Sequence, residues 1–228
     1  MPCVLITGAN RGIGLELTRR YAARGDQVIA CCRHPESAAS LNAVAGRVAV
    51  RALAVDDPAS VAALANGLGG QAIDLLINNA GVLGPEYGDQ TTTKMDFDGW
   101  AHTFAVNTMG PVRVMQALLP NLKAAAAGRV VTITSQMGAL SLDMALGHAY
   151  SATKAAINKF MRLAALDLAK EGIAVGLIHP GWVKTDMGGP DADITVDESA
   201  SGIVATVEKL DLSTTGSFWK WNGEPHGW

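Results

Sequence analysis

Four stretches of this 228-residue chain are apolar almost without interruption: Val4-Leu5-Ile6, Ile73-Asp74-Leu75-Leu76-Ile77, Val130-Val131-Thr132-Ile133 and Ala174-Val175-Gly176-Leu177-Ile178. A strand with one wet face alternates apolar and polar side chains. Runs of this kind belong instead to strands covered on both faces, in a parallel sheet held between two layers of helices. Three further strand-like segments complete the pattern, so strands are expected near 3–7, 27–32, 47–54, 73–78, 129–134, 173–178 and 217–221, with amphipathic helices between them. Gly25 and Gly46 close helices, Gly128 and Gly172 lead into strands, and Asn222-Gly223 turns the chain after the last strand. The expected fold is α/β: one doubly wound domain over residues 1–228, its seven-stranded, mainly parallel sheet flanked by helices on both faces.

Charge and cysteine usage narrow the range of partners. The net charge is -3 with no block of like charges, which offers no electrostatic footprint for nucleic acid or for an anionic membrane surface. No apolar stretch reaches spanning length, and strand-like residues from Val4 onward leave no room for a signal peptide, so a cytoplasmic location is expected. Cys31 and Cys32 are neighbours on a strand and point to opposite faces, which argues against a bridge or a shared metal. None of His34, His102, His148, His179 and His226 is paired at metal-binding spacing, and no metal site is expected.

Between the first strand and the first helix lies Thr7-Gly8-Ala9-Asn10-Arg11-Gly12-Ile13-Gly14. Glycines there let backbone approach a pyrophosphate, and the helix N-terminus supplies N–H donors and a positive dipole end. The spacing Gly8, Gly12, Gly14 differs from the general G-x-G-x-x-G pattern, and no Gly-Lys-Ser/Thr follows to make a P-loop. Gly8, Asn10, Arg11, Gly12, Ile13 and Gly14 are the candidate cofactor contacts in this turn. After the second strand an NAD enzyme places a carboxylate for the ribose 2′-hydroxyl, whereas this chain reads Cys32-Arg33-His34. Arg33, helped by Arg11, suits a 2′-phosphate, and the cofactor expected is NADP. Asp56, after the third strand, either accepts from the adenine amino group or caps the helix beginning at Pro58, a role Asp57 could equally fill. The fourth strand ends in Asn78-Asn79-Ala80-Gly81, where small residues leave space for a ribose.

Tyr150 and Lys154 stand four residues apart, on one face of a helix. A phenol titrating near pH ~10 is a poor acid or base at neutrality, and a fixed cation beside it favours its ionised form. Pro111, four residues after Asn107, has no N–H for the Asn107 carbonyl, so a kink or an ordered water is expected there. Ser135 follows the fifth strand, where it is either a turn residue or a hydrogen-bond donor.

Together, the glycine turn, Asn78 to Gly81, Asn107, Ser135, Tyr150 with Lys154, and His179-Pro180-Gly181-Trp182-Val183-Lys184-Thr185-Asp186 resemble the short-chain dehydrogenase/reductase family nearly end to end. Within it the chain is similar to the C-factor-like and sniffer-type carbonyl reductases. The resemblance implies a Rossmann-type domain and a catalytic set of Asn107, Ser135, Tyr150 and Lys154. Tyr150 would protonate a carbonyl oxygen as hydride arrives from NADPH, and Ser135 would donate to the same oxygen. Lys154 would hold the nicotinamide ribose, Asn107 would support a water relay, and Asn79, Ala80, Gly81, Pro180, Val183 and Thr185 would line the cofactor. Ser135 and Tyr150 are fifteen residues apart, and the stretch between them, with Gln136, Met137, Met144, Leu146 and His148, is expected to wall the substrate site. Trp182 is either a core plug or part of that wall. The substrate expected is an aldehyde or ketone with apolar substituents. Helices near 98–119 and 150–170 would join copies into a homodimer or homotetramer. Phe218, Trp219, Trp221 and Trp228 read as an edge-strand packing layer. Two other functions fit the same scaffold, a nucleotide-binding regulatory protein and an NAD-dependent alcohol dehydrogenase. A serine hydrolase does not, since Ser135 lacks the G-x-S-x-G elbow.

Overall fold

The computed structural model describes residues 1–228. Seven strands, β1 (Cys3–Thr7), β2 (Gln27–Cys32), β3 (Val48–Ala52), β4 (Leu75–Asn78), β5 (Arg129–Ile133), β6 (Ala174–His179) and β7 (Phe218–Lys220), form one sheet in the order β3-β2-β1-β4-β5-β6-β7. Every neighbouring pair is parallel. The connections are α1 (Gly12–Ala23), α2 (Ala39–Asn42), α3 (Pro58–Leu68), α4 (Phe97–Phe104), α5 (Gly110–Ala117), α6 (Leu119–Lys123), α7 (His148–Leu168) and α8 (Val196–Val207). All residues of β1, β4 and β6 are buried, which is why their sequences do not alternate. Edge strand β3 has no fully buried residue, and its five residues are three fewer than the expected 47–54.

Successive residues of each strand feed two separate cores. Val4, Ile6, Ile77 and Val131 pack with Leu17 and Tyr21 of α1 and Ile203 and Val207 of α8. Leu5, Leu76, Val130 and Val175 pack with Leu64 of α3, Met115 of α5, and Ile157 and Met161 of α7. Cys31 and Cys32 fall on opposite sides of the sheet, as their adjacency requires, and all three cysteines are free and buried. No helix is long and apolar enough to cross a membrane.

Local chemistry sets the helix starts. Asp57, not Asp56, caps α3 by accepting the Ala59 N–H at 2.9 Å, with Pro58 in the first helical position. Thr195 and Glu198 form a reciprocal capping box on α8. Between α4 and α5 the helix widens into a π segment over Ala105–Met109, where the Gly110 N–H reaches back to the Ala105 carbonyl. Pro111 explains the widening: its ring would strike the carbonyl four residues earlier, that of Asn107, and it has no N–H to offer it.

At the edge of the sheet, Trp219 and Trp221 pack on the α8 side. Beyond them the chain folds back, with Pro225 bridging Trp219 and the His226 N–H bonding the Phe218 carbonyl at 2.8 Å. Trp228 lies 5.4 Å from Phe218, ring centre to ring centre, under the Arg162 guanidinium. The late aromatic residues thus pack largely on one another and on the sheet edge. Strand order reverses between β1 and β4, and in such sheets ligands bind past the carboxyl ends of the strands at that point.

Candidate functional site

Two clusters meet at the reversal point. The first is the glycine turn between β1 and α1. A Cβ on Gly14 would lie 2.3 Å from the Gly8 carbonyl oxygen, and one on Gly8 would lie 2.8 Å from the Ala80 Cα, so neither position admits a side chain. Asn79 holds this turn together: its amide donates to the Thr7 and Gly8 carbonyls, both at 3.0 Å, while Thr7 Oγ1 accepts the N–H groups of Asn79 and Ala80. Asn79, expected as a cofactor contact, thus has its amide N–H committed to shaping the turn.

The arginines differ from each other. Arg33, just past β2, is exposed and makes no hydrogen bond or ion pair within the chain. Arg11, expected beside it, is instead paired with Asp186 at 2.7 Å, drawn toward the loop after β6 by a charge 175 residues away. That loop rests on the turn, since a Cβ on Gly12 would meet the Thr185 methyl at 3.3 Å. Released from capping, Asp56 stands 3.8 Å from His102. Asn10 is exposed, while Ile13, Ala80, Gly81 and Pro180 are half-buried around the same crevice. Val183 is buried and bridges to Ile194. Bare backbone at the turn and an unpaired cation past β2 are the donor set that a dinucleotide with a 2′-phosphate requires.

The second cluster is polar and almost dry. Ser135, Tyr150, Lys154 and Asn107 all have less than a tenth of their surface exposed. Ser135 stands in extended conformation at the mouth of a 3₁₀ turn, Gln136–Gly138, and its Oγ accepts the Met137 N–H at 3.1 Å. That turn packs directly on α7, because Gly138 has no Cβ to strike the Lys154 backbone 2.6 Å away. Ser135 is thereby brought beside Tyr150, near enough to bear on its ionisation. Lys154 donates to the Ile133 carbonyl at 3.1 Å, with its ammonium 5.6 Å from the centre of the Tyr150 ring. Asn107 braces the loop after β4, exchanging two hydrogen bonds with Val82 and donating to Thr153.

Here the electrostatics depart from the expectation of a lowered phenol. Burial pushes Tyr150 up to about 12, opposed by Ser135 beside it and reinforced by Tyr87. Burial also pushes Lys154 down to about 8. The lysine does not offset the desolvation of the phenol, because its ammonium is turned to the Ile133 carbonyl. Tyr150 is therefore a protonated acid at neutral pH.

Two neighbours of Tyr150 were not singled out in the sequence. Tyr87, close enough to raise its pKa, comes from the irregular loop after β4. Gln90, fully buried in that loop, donates to the Pro85 carbonyl and accepts the Tyr150 N–H at 3.3 Å, supplying the cap that Gly147 cannot. Met137 and Met144 line an apolar cavity of about 230 Å³ with Ala139, Leu140, Leu142 and Ala155. Ser151 and Ala152 complete the lining, from a side of α7 turned away from Tyr150. Trp182 is not a core plug: it is half-exposed and donates to the Gly188 carbonyl at 2.8 Å. His148 begins α7 and lies 3.3 Å from Thr92.

Below Ser135, His179 is buried and held neutral, pushed down to about 4 by burial first and by His226 and Lys220 next. The unfolded chain protonates this group near pH ~6.5, so it binds the extra proton between about pH 6.5 and 4 while the fold does not. Stability is unaffected above that window and lowered by roughly 3 kcal/mol below it. Urea unfolding at pH 7 and pH 4.5 should show the loss, with His179→Asn flattening it. An equal loss in the variant would place the acid sensitivity elsewhere.

A family model described as short chain dehydrogenase matches residues 2–194. The chain belongs to this family. Among relatives of this short-chain dehydrogenase, the C-signal of Myxococcus xanthus is 41% identical over 159 residues, covering 68% of this chain and 93% of that protein. A 1-hydroxy-2-glutathionyl-2-methyl-3-butene dehydrogenase of Rhodococcus is 33% identical over 225 residues, 96% of each chain. Among solved structures, the NADPH-bound carbonyl reductase from chicken fatty liver superposes with a TM-score of 0.92 at 33% identity, covering 100% of this chain and 99% of that one. The carbonyl reductase Sniffer of D. melanogaster superposes with the same TM-score at 28% identity, covering both chains completely.

Proposed function

We propose that this short-chain dehydrogenase is an NADP-dependent oxidoreductase that interconverts a carbonyl compound and its alcohol, with reduction of an aldehyde or ketone bearing apolar substituents as its main direction. The observation that carries the reading is the dry meeting of Ser135, Tyr150 and Lys154 beside a glycine turn that only bare backbone can form. The carbonyl reductase solved with NADPH and superposing over the whole chain supports it. When bound, NADPH supplies the hydride that reduces the carbonyl carbon. The protein's own work is then proton delivery. Tyr150, protonated at neutral pH, gives its proton to the carbonyl oxygen as negative charge develops there. Ser135 takes the Met137 N–H on one lone pair, and its O–H can turn to donate to the same oxygen. Lys154, Asn107 and the π segment stand behind Tyr150, and we assign them the task of passing a replacement proton to it. Gly8, Gly12, Gly14, Arg33 and Asp56 would hold the cofactor, with Arg11 exchanging Asp186 for phosphate.

Exposed apolar residues on α7, Phe160, Leu163 and Leu166, with Phe97 of α4 and Met109, support assembly of copies through these helices. Free, buried cysteines support a reducing compartment, the cytoplasm.

Arg33 gives the direct test of cofactor choice. Removing a charge-assisted contact to phosphate weakens binding by roughly 10-fold to 100-fold. Arg33→Ala should raise the NADPH dissociation constant by that factor, measured by fluorescence titration, and leave NADH unchanged. Equal binding of the two nucleotides by the parent protein would remove the case for NADP.

A further inference from the structure

We propose that His179 is a positioning residue for Ser135, its imidazole taking the N–H of Gln136 and so fixing the peptide that aims the serine hydroxyl. This rests on the reading of Ser135 as a donor to the substrate oxygen.

The β5–β6 ladder runs out at this point. The Thr134 N–H still finds the Ile178 carbonyl at 2.9 Å, one step past the end of β5. Gln136 then turns away from the sheet, and its N–H is accepted by a side chain, Nδ1 of His179, at 3.2 Å. His179 is the last residue of β6, so the neighbouring strand completes with an imidazole what its backbone can no longer reach. The accepted N–H belongs to the Ser135–Gln136 peptide. Rotation of that peptide is rotation about the bond that orients Ser135, so freeing it would let the hydroxyl swing away from Tyr150.

The ring itself is held. It is buried, and it meets His226 edge-on at 5.7 Å between ring centres. His226 is stacked in turn on Phe218 at 4.4 Å. Nδ1 accepts only in a neutral ring with the proton on Nε2, a tautomer fixed here by the Gln136 bond. The same folded-back segment reaches the far end of the substrate-side stretch, where the Ser141 N–H bonds the Trp228 carbonyl at 3.2 Å.

An asparagine carries an acceptor, Oδ1, at the branch position Nδ1 occupies, whereas leucine fills the space without one. With 4-nitrobenzaldehyde and saturating NADPH, His179→Leu should lower kcat on the order of 10-fold to 100-fold, as misplaced catalytic groups do. NADPH affinity should not change, and His179→Asn should restore most of the rate. Amide hydrogen exchange of Gln136 should be fast in His179→Leu and slow in the parent and in His179→Asn. In a Ser135→Ala background, His179→Leu should produce no further loss.

Additive losses in that double variant, or an asparagine variant no better than the leucine one, would overturn the positioning role. So would failure of both His179→Leu and His179→Ala to fold, which would make the residue purely structural. If Ser135→Ala alone keeps full activity, the reading of Ser135 falls instead.

Discussion

Replacing Tyr150 with phenylalanine should reduce carbonyl reduction by on the order of 10² to 10⁴ while leaving NADPH binding in place, because it removes one proton donor and little volume. The measurement is a panel of aldehydes, ketones and quinones assayed with the parent and with Tyr150→Phe, alongside cofactor titration of both. Reduction by the variant at the parent's rate would end the assignment of Tyr150 as the acid. The raised phenol adds a directional expectation. In reduction Tyr150 begins protonated across the whole neutral range, so its own titration should not appear in that pH profile. Oxidation needs the phenolate as base, and its rate should climb with pH throughout the accessible range as the folded value of about 12 is approached.

Gly14→Ala should be the most damaging single change at the cofactor end. Inside a helix, alanine is ordinarily better than glycine by about 1 kcal/mol. Here the added Cβ would sit 2.3 Å from the Gly8 carbonyl oxygen and 2.5 Å from the Asn79 amide nitrogen, and the first of these is backbone that cannot swing aside. Overpacking of this kind costs about 3 kcal/mol, so the steric term outweighs the helical gain. It also breaks the hydrogen bonds that shape the turn. The expected result is a lower thermal midpoint together with NADPH affinity too weak to titrate. A variant as stable as the parent that binds NADPH normally would show that the turn has room for a side chain at this position.

The sheet was legible wherever burial on both faces suppressed alternation, as in β1, β4, β5 and β6. The edge strand β3 was harder to bound, because half-exposed residues such as Val48 and Val50 carry a weaker signal. Tyr150, Lys154, Ser135 and Asn107 could be singled out since their spacing is local or their setting recurs in a family. Gln90 and Tyr87 could not: nothing in an irregular polar loop tells which residue will fold onto a helix 60 residues later. The partner of Arg11 was hidden for the same reason. The bracing role of Asn79 was hidden, because an asparagine beside a nucleotide site serves equally as contact or as brace. The phenol's direction was misjudged because proximity of a lysine says nothing of where its ammonium points or how dry the pair is.

The brace made by Asn79 has a consequence for how the molecule comes to exist. The turn at Gly8 is held by a residue 71 positions further along, and β1 is completed only by β2 on one side and β4 on the other. Such non-local pairings form late and slowly, since the chain must close large loops before any contact rewards it. A growing polypeptide therefore cannot recognise nucleotide through its first thirty residues, however well they spell the phosphate-binding pattern. Recognition arrives with cooperative closure of the central strands, and from then on bound nucleotide holds the closed state by mass action.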